Sequence, residues 1–195
     1  IQLNNNALTE LPKAFNQLES VKVLELQFNE LTEISSLSAL TQLLYLNLRN
    51  NQLSQYPREL AQFSMLEGLS LSGNALQSIP SLAPFQRLKH LYLQYNKLTS
   101  LPEDLGSLST LEELDIYKNQ ISALPQSIGQ LTALTKLNAN SNRISELPTT
   151  FGQLTELMIL KMERNMLNEP PEHVGNLRSL WLLHLRGNAL HSLPK

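Results

Sequence analysis

The stretch L-K-H-L-Y-L-Q-Y-N-K-L, running from Leu88 to Leu98, decides the fold. Leu91 and Leu93 flank Tyr92, so both leucines point to one face of a short strand and the tyrosine to the other. Leu88 and Leu98 extend the apolar side, and Asn96 stands where the strand must turn. The same frame recurs at Leu111, Leu114, Ile116, Asn119 and Ile121. Its asparagine returns at Asn6, Asn29, Asn51, Asn74, Asn96, Asn119, Asn142, Asn165 and Asn188, in steps of 22 or 23 residues. Spacing of this kind over a whole chain predicts a solenoid of stacked coils. A turn inside such a stack loses water around its backbone. An asparagine amide both donates and accepts, so it can bond the backbone of its own coil and of a neighbour. An aliphatic residue there would strand those groups, at about 1–3 kcal/mol each.

The return half of each coil carries a second signature, L-P-x-x-aliphatic-G-x-L, as in Leu101-Pro102 to Leu108 and Leu124-Pro125 to Leu131. With these residues in place the chain resembles the leucine-rich repeat proteins along its whole length, in their 23-residue class. The return sequence is similar to that of intracellular Ras-group and many bacterial repeat proteins. The resemblance implies an α/β solenoid: a right-handed, curved stack with a parallel sheet on its concave face and irregular or 3-10 segments on its convex side. It also implies a binding role rather than a particular ligand.

The repeats run without a break, so residues 1–195 read as one domain. Seven complete copies lie between two partial ones, and neither partial copy carries the polar face of a cap. The sequence therefore predicts a fragment of a longer protein. Two copies, from Val21 and from Leu66, are one residue short, both on the return side, where a deletion disturbs strand stacking least. Gly106, Gly129, Gly152 and Gly175 mark a return-side turn and are expected at positive φ. Phe15, Phe63, Phe85 and Phe151 are expected to fill the core. Ala139 in place of a strand leucine predicts a loosely packed spot. Tyr56 before Pro57, and Pro170-Pro171 in place of Leu-Pro, read as structural variation.

Net charge is −2, which argues against a nucleic-acid partner, whose phosphates call for clustered Lys and Arg. No apolar run reaches the roughly 18 residues of a membrane span. With no cysteine in the chain, disulfides, thiolate catalysis and cysteine zinc sites are excluded. No N-x-[ST] sequon and no signal peptide occur in the segment. These absences lean towards a cytoplasmic or bacterial setting.

The x positions of each strand are free of the core and are expected to face out on the concave side. Four of the five tyrosines (Tyr45, Tyr92, Tyr95, Tyr117), the sole tryptophan Trp181 and Phe28 fall there. Aromatic residues dominate binding hot spots, and they also suit exposed strands. Tyr92, Tyr95 and Tyr117, on adjacent coils, are expected to cluster. Charges align across coils: His90, Glu113 and Lys136 in one column, Tyr117, Asn140, Glu163 and Arg186 in another. Lateral pairing accounts for them at about 0.2–1 kcal/mol per pair. The other reading is a recognition gradient, acidic at Glu112, Glu113 and Asp115 and basic at Lys161, Arg164 and Arg186. Arg49 completes the candidate set. Met158, Ile159, Trp181 and Leu182 form an apolar group that serves a partner or packs against chain beyond Lys195.

Catalytic chemistry is not expected. Glu113 and Asp115 share a face, but an open sheet offers no desolvation to tune them. The four histidines lack metal-ligand spacing, and no phosphate loop or nucleophile elbow occurs. The reading is a non-enzymatic module with no cofactor and no metal, holding a protein or peptide on its concave face. The alternative is the recognition arm of a larger GTPase, kinase or ubiquitin ligase. The ligase case is weakened because secreted bacterial ligases carry shorter repeats with a second L-P.

Overall fold

The computed structural model describes residues 1–169 and 173–192. Eight strands form one parallel sheet in chain order. They are β1 (Val23–Glu25), β2 (Tyr45–Asn47), β3 (Gly68–Ser70), β4 (His90–Tyr92), β5 (Glu113–Asp115), β6 (Lys136–Asn138), β7 (Ile159–Lys161) and β8 (Leu182–His184). A single parallel bridge, Gln2 to Glu25, adds the first coil. Each strand's central leucine pairs with the next: Leu24, Leu46, Leu69, Leu91, Leu114, Leu137, Leu160 and Leu183. From Leu24 to Leu160 these side chains are at most 1% exposed.

The asparagine ladder holds the turns as the amide chemistry requires. Asn96 donates through Nδ2 to Leu93 O in its own coil and to Leu71 O in the coil before, both at 3.0 Å. Its Oδ1 accepts the Leu76 N–H of that earlier coil at 3.0 Å. Asn119, Asn142 and Asn165 repeat the pattern. Each such asparagine contributes about 1 kcal/mol per bond, comparable in sum to a buried leucine at about 2 kcal/mol.

Return segments close the coils with five-residue 3-10 turns at Lys13–Gln17, Arg58–Gln62, Glu103–Ser107, Gln126–Gln130 and Thr149–Gln153. Proline precedes each one, its ring fixing the entry φ and its missing N–H costing no bond. The two short copies accommodate their deletion here. One keeps only the three-residue turn Ser35–Leu37, and the other has no 3-10 turn between β3 and β4.

The return-side glycines correct the expectation made from sequence: none of the four has positive φ. Space is the reason for them. A Cβ on Gly106 would lie 2.5 Å from Ser127 O, one on Gly129 2.5 Å from Thr150 O, and one on Gly152 2.7 Å from His173 Cβ. Each glycine lets the next coil's 3-10 turn settle against it. Gly175 meets nothing within 4 Å.

Phe63, Phe85 and Phe151 are fully buried, whereas Phe15 in the first coil is half-buried against the same core. Ala139 is fully enclosed, with Met162 in the same place one coil on. Tyr56 packs half-buried on the core, and burial, then the charge of Asp104, pushes its phenol pKa up. Pro170-Pro171 and Leu193 to Lys195 lie outside the described residues.

Candidate functional site

The outward face of the sheet is arranged in columns by the strand register. His90, Glu113 and Lys136 stand side by side, as do Tyr92, Asp115 and Asn138. One more column lies at the strand ends. The residue just before every ladder asparagine has left-handed backbone: Asn5, Phe28, Asn50, Gly73, Tyr95, Lys118, Ser141, Arg164 and Gly187, with φ between +51° and +75°. The turn forces this conformation, which costs a residue bearing a Cβ about 1–2 kcal/mol and glycine nothing. Asparagine and glycine relieve it in some coils. Phe28 and Tyr95 are bulky residues held there, 44% and 48% exposed.

Two cation–aromatic groups form along that edge. Arg49 Cζ lies 5.6 Å from the Phe28 ring centre. Lys118 Nζ lies 4.9 Å from the Tyr95 ring and 5.4 Å from Tyr117, and the two rings meet edge to face at 5.1 Å. The expected tyrosine cluster thus joins Tyr95 and Tyr117 directly, while Tyr92 turns to other partners. Tyr92 lies parallel to His90, with ring centres 6.4 Å apart, and its Oη donates to Glu113 Oε2 at 3.0 Å. Burial and then the neighbouring Glu113 push its phenol pKa up to about 12.

Asp115 departs from the expectation that an open sheet leaves its carboxyls fully solvated. Burial on the concave floor raises its pKa, even though the Tyr117 N–H donates to Oδ1 at 2.9 Å and Asn138 Nδ2 to Oδ2 at 3.1 Å. The carboxylate is a turn brace, since Asn47 and Asn138 make the same bond to the N–H two residues on. Among the described residues no group of acidic or histidine side chains is placed to hold a metal ion.

Lateral pairing is present in part. Lys89 Nζ reaches Glu67 Oε2 at 3.0 Å, which lowers the glutamate's pKa and raises the lysine's. His90 Nδ1 lies 3.8 Å from Glu113, and His184 Nδ1 4.0 Å from Glu163. Lys136 and Arg186, though beside Glu113 and Glu163 in their columns, form no ion pair among the described residues. Trp181 is 69% exposed at the far end, next to exposed Met158.

A hollow of about 500 Å³ opens on the N-terminal half of the face. Four of the five outward residues of the β3 coil are small, Gly68, Ser70, Ser72 and Gly73; the fifth, Glu67, is drawn to Lys89. Larger residues wall it on either side, Tyr45 and Arg49 against His90, Tyr92 and Gln94. The walls stand two coils apart, roughly 10 Å at ordinary strand spacing. Tyr45 leans over the Gly68 end, where a Cβ would come within 2.7 Å of its ring. His90 Nδ1 and Gln94 Oε1, on residues of this wall, are buried without a hydrogen-bond partner among the described residues. The signal was the run of small residues in one coil of an otherwise bulky series.

A parallel one-strand-per-coil sheet with a buried asparagine ladder and 3-10 returns defines the class as a leucine-rich repeat solenoid. The chain belongs to the leucine-rich repeat family: the leucine-rich repeat region matches residues 82–166 and 114–195, and a second leucine-rich repeat family matches residues 1–53. A leucine-rich repeat protein of Leptospira interrogans is similar at 34% identity and TM-score 0.92, over 97% of this chain and 49% of that one. An internalin of Listeria monocytogenes is similar at 29% identity and TM-score 0.87, over 96% of this chain and 54% of that one. The structure of PEPR1-AtPEP1 is similar at 30% identity and TM-score 0.87, over 99% of this chain and 29% of that one. The chain spans about half the length of the first two. No curated protein matches it in sequence.

Proposed function

We propose that the concave face holds a protein or peptide partner, with aromatic side chains as its anchors. The observation that carries this is the presence of Phe28 and Tyr95, exposed, at left-handed positions that asparagine or glycine fills in four of the nine coils. A bulky residue held in such backbone at a stability cost is a mark of function. Tyr95, Tyr117 and Lys118 make the central anchor, Tyr92 and Tyr45 flank the hollow, and Arg49, Lys161, Arg164 and Arg186 set register by charge. A rigid sheet loses little entropy on binding. The reading has no catalytic step and no cofactor.

The test starts from peptides selected on the immobilised chain out of a random display library. Combined replacement of Tyr92, Tyr95 and Tyr117 by alanine is expected to weaken the selected peptides at least tenfold with little change in the thermal midpoint. Peptides that bind the variant as well as the parent overturn the reading.

A second reading makes this face the recognition arm of a larger protein, such as a GTPase, kinase or ubiquitin ligase. The first two similar structures are about twice as long as this chain, so a native protein of that length has room for more than these repeats. The native gene around the segment tests it: a flanking catalytic domain supports it, and repeats alone contradict it.

A further inference from the structure

The concave face is not uniform along its length. Counted over the outward strand positions from Lys22 to Arg186, eight Lys or Arg face six Asp or Glu, whereas the remainder of the chain carries seven against eleven. A partner meets only the charges that are not already used. Asp115 is braced by Asn138 and the Tyr117 N–H. Glu163 faces His184 at 4.0 Å and the Asn140 amide at 3.4 Å, and its own N–H donates to Asn140 Oδ1. By contrast Lys136, Lys161, Arg164 and Arg186 form no ion pair within 4.0 Å among the described residues, although Lys161 is near enough to Asp115 to favour its ionised form. On the last three coils the one outward acid, Glu163, is held by internal partners, and four cations, Lys136, Lys161, Arg164 and Arg186, are presented outward.

Two of these cations, Lys161 and Arg164, line a second hollow of about 280 Å³, together with Tyr117, Ser141 and Glu163 among others. Room for Arg164 comes from the next coil, where a Cβ on Gly187 would stand 3.3 Å from Arg164 Cγ. The start of the same strands is apolar. Ile159 pairs with Leu182, and Met158 and Trp181 beside them are 41% and 69% exposed. Two residues of strand, roughly 7 Å, separate this apolar end from the cationic end.

We propose that this part of the face takes an acidic peptide segment anchored by apolar side chains. The ligand's aliphatic or aromatic residues lie on Met158 and Trp181, and its carboxylates sit over Lys161, Arg164 and Arg186. The proposal rests on the concave-face reading above and adds the ligand's chemistry. Complementary charge supplies specificity and on-rate, and the apolar strip supplies the anchor.

Trp181 is the only tryptophan, so its emission reports this patch alone. The probe is a capped peptide of roughly a dozen residues alternating leucine and glutamate, an extended ligand for an open sheet face. Its control carries glutamine for glutamate. The glutamate peptide is expected to shift Trp181 emission to the blue and to bind about tenfold more tightly than the control, and less tightly as salt is raised. Lys161→Ala with Arg164→Ala is expected to remove that preference. Equal binding of the two peptides overturns the proposal without depending on any variant folding. So does an equal emission change with inorganic phosphate alone, which marks a small-anion site. If the acid preference fails while library-selected peptides still require the tyrosines, the concave-face reading stands alone. If those peptides ignore the tyrosines too, that reading has failed as well.

Discussion

Three residue types carry most of the physics, and each gives a separable expectation. Asn119→Leu removes the acceptor for the Leu98 N–H and the donor for the carbonyls of Leu93 and Ile116, all buried. The expected loss is at least about 3 kcal/mol, read as a lower urea midpoint. Tyr95→Asn exchanges aromatic packing on Tyr117, worth about 0.5–1.5 kcal/mol, for relief of left-handed strain of about 1 kcal/mol. Stability should therefore change by less than about 1 kcal/mol while ligand binding weakens, a split that a purely structural Tyr95 would not give. Asp115 has a folded pKa raised above its unfolded value by burial. The folded state holds that proton more tightly, so its contribution is most favourable below the unfolded pKa and is lost as pH rises through the folded one. Asp115→Asn, whose bond to the N–H two residues on is already made by Asn47 and Asn138, should flatten this slope in a thermal melt series from acid to neutral pH. The ladder asparagines were legible in the sequence because amide chemistry and spacing agree. The left-handed residue before each was not, because its occupants (Asn, Phe, Gly, Tyr, Lys, Ser, Arg) share no chemistry; only the backbone joins them.

At the scale of elements the strands were legible throughout, since each L-x-L pair sets both its face and its register. The return segments were legible as to place but not as to cause. A glycine before a polar residue reads as a turn needing positive φ, whereas Gly106, Gly129 and Gly152 sit inside 3-10 turns and are needed for contact between coils. That contact lies between residues more than 20 apart in the chain, as from Gly129 to Thr150, and no local pattern records it. The two explanations separate experimentally. Gly129→Ala should cost about 1–3 kcal/mol through the clash with Thr150. Gly175→Ala, with open space around it and ordinary φ, should be neutral or stabilise by about 0.4–1 kcal/mol. If positive φ were the reason for both glycines, both substitutions would destabilise. Chemical denaturation of the two variants decides it.

Across the whole molecule, regular stacking turns sequence columns into one continuous surface, and that surface is uneven. Small residues on the β3 coil open a hollow, aromatic residues on the next two coils fill the middle, and free cations gather towards the C-terminal end. Composition alone hid this, because a net charge of −2 averages an acidic remainder with a cationic face. The aromatic bias to one side was readable from position; the sharing-out of the acids among internal partners needed the side-chain geometry, as Tyr92 with Glu113 and Asn140 with Glu163 illustrate. The central claim is that this face binds through its aromatic residues. At 22.0 kDa the chain is small enough for residue-level NMR. Titrating the labelled chain with a library-selected peptide should perturb the outward positions from Tyr45 to Arg186, most strongly at Tyr95, Tyr117 and Lys118, and leave the 3-10 side unchanged. Perturbations centred on Glu103–Ser107, Gln126–Gln130 and Thr149–Gln153, with the tyrosines unmoved, would contradict it.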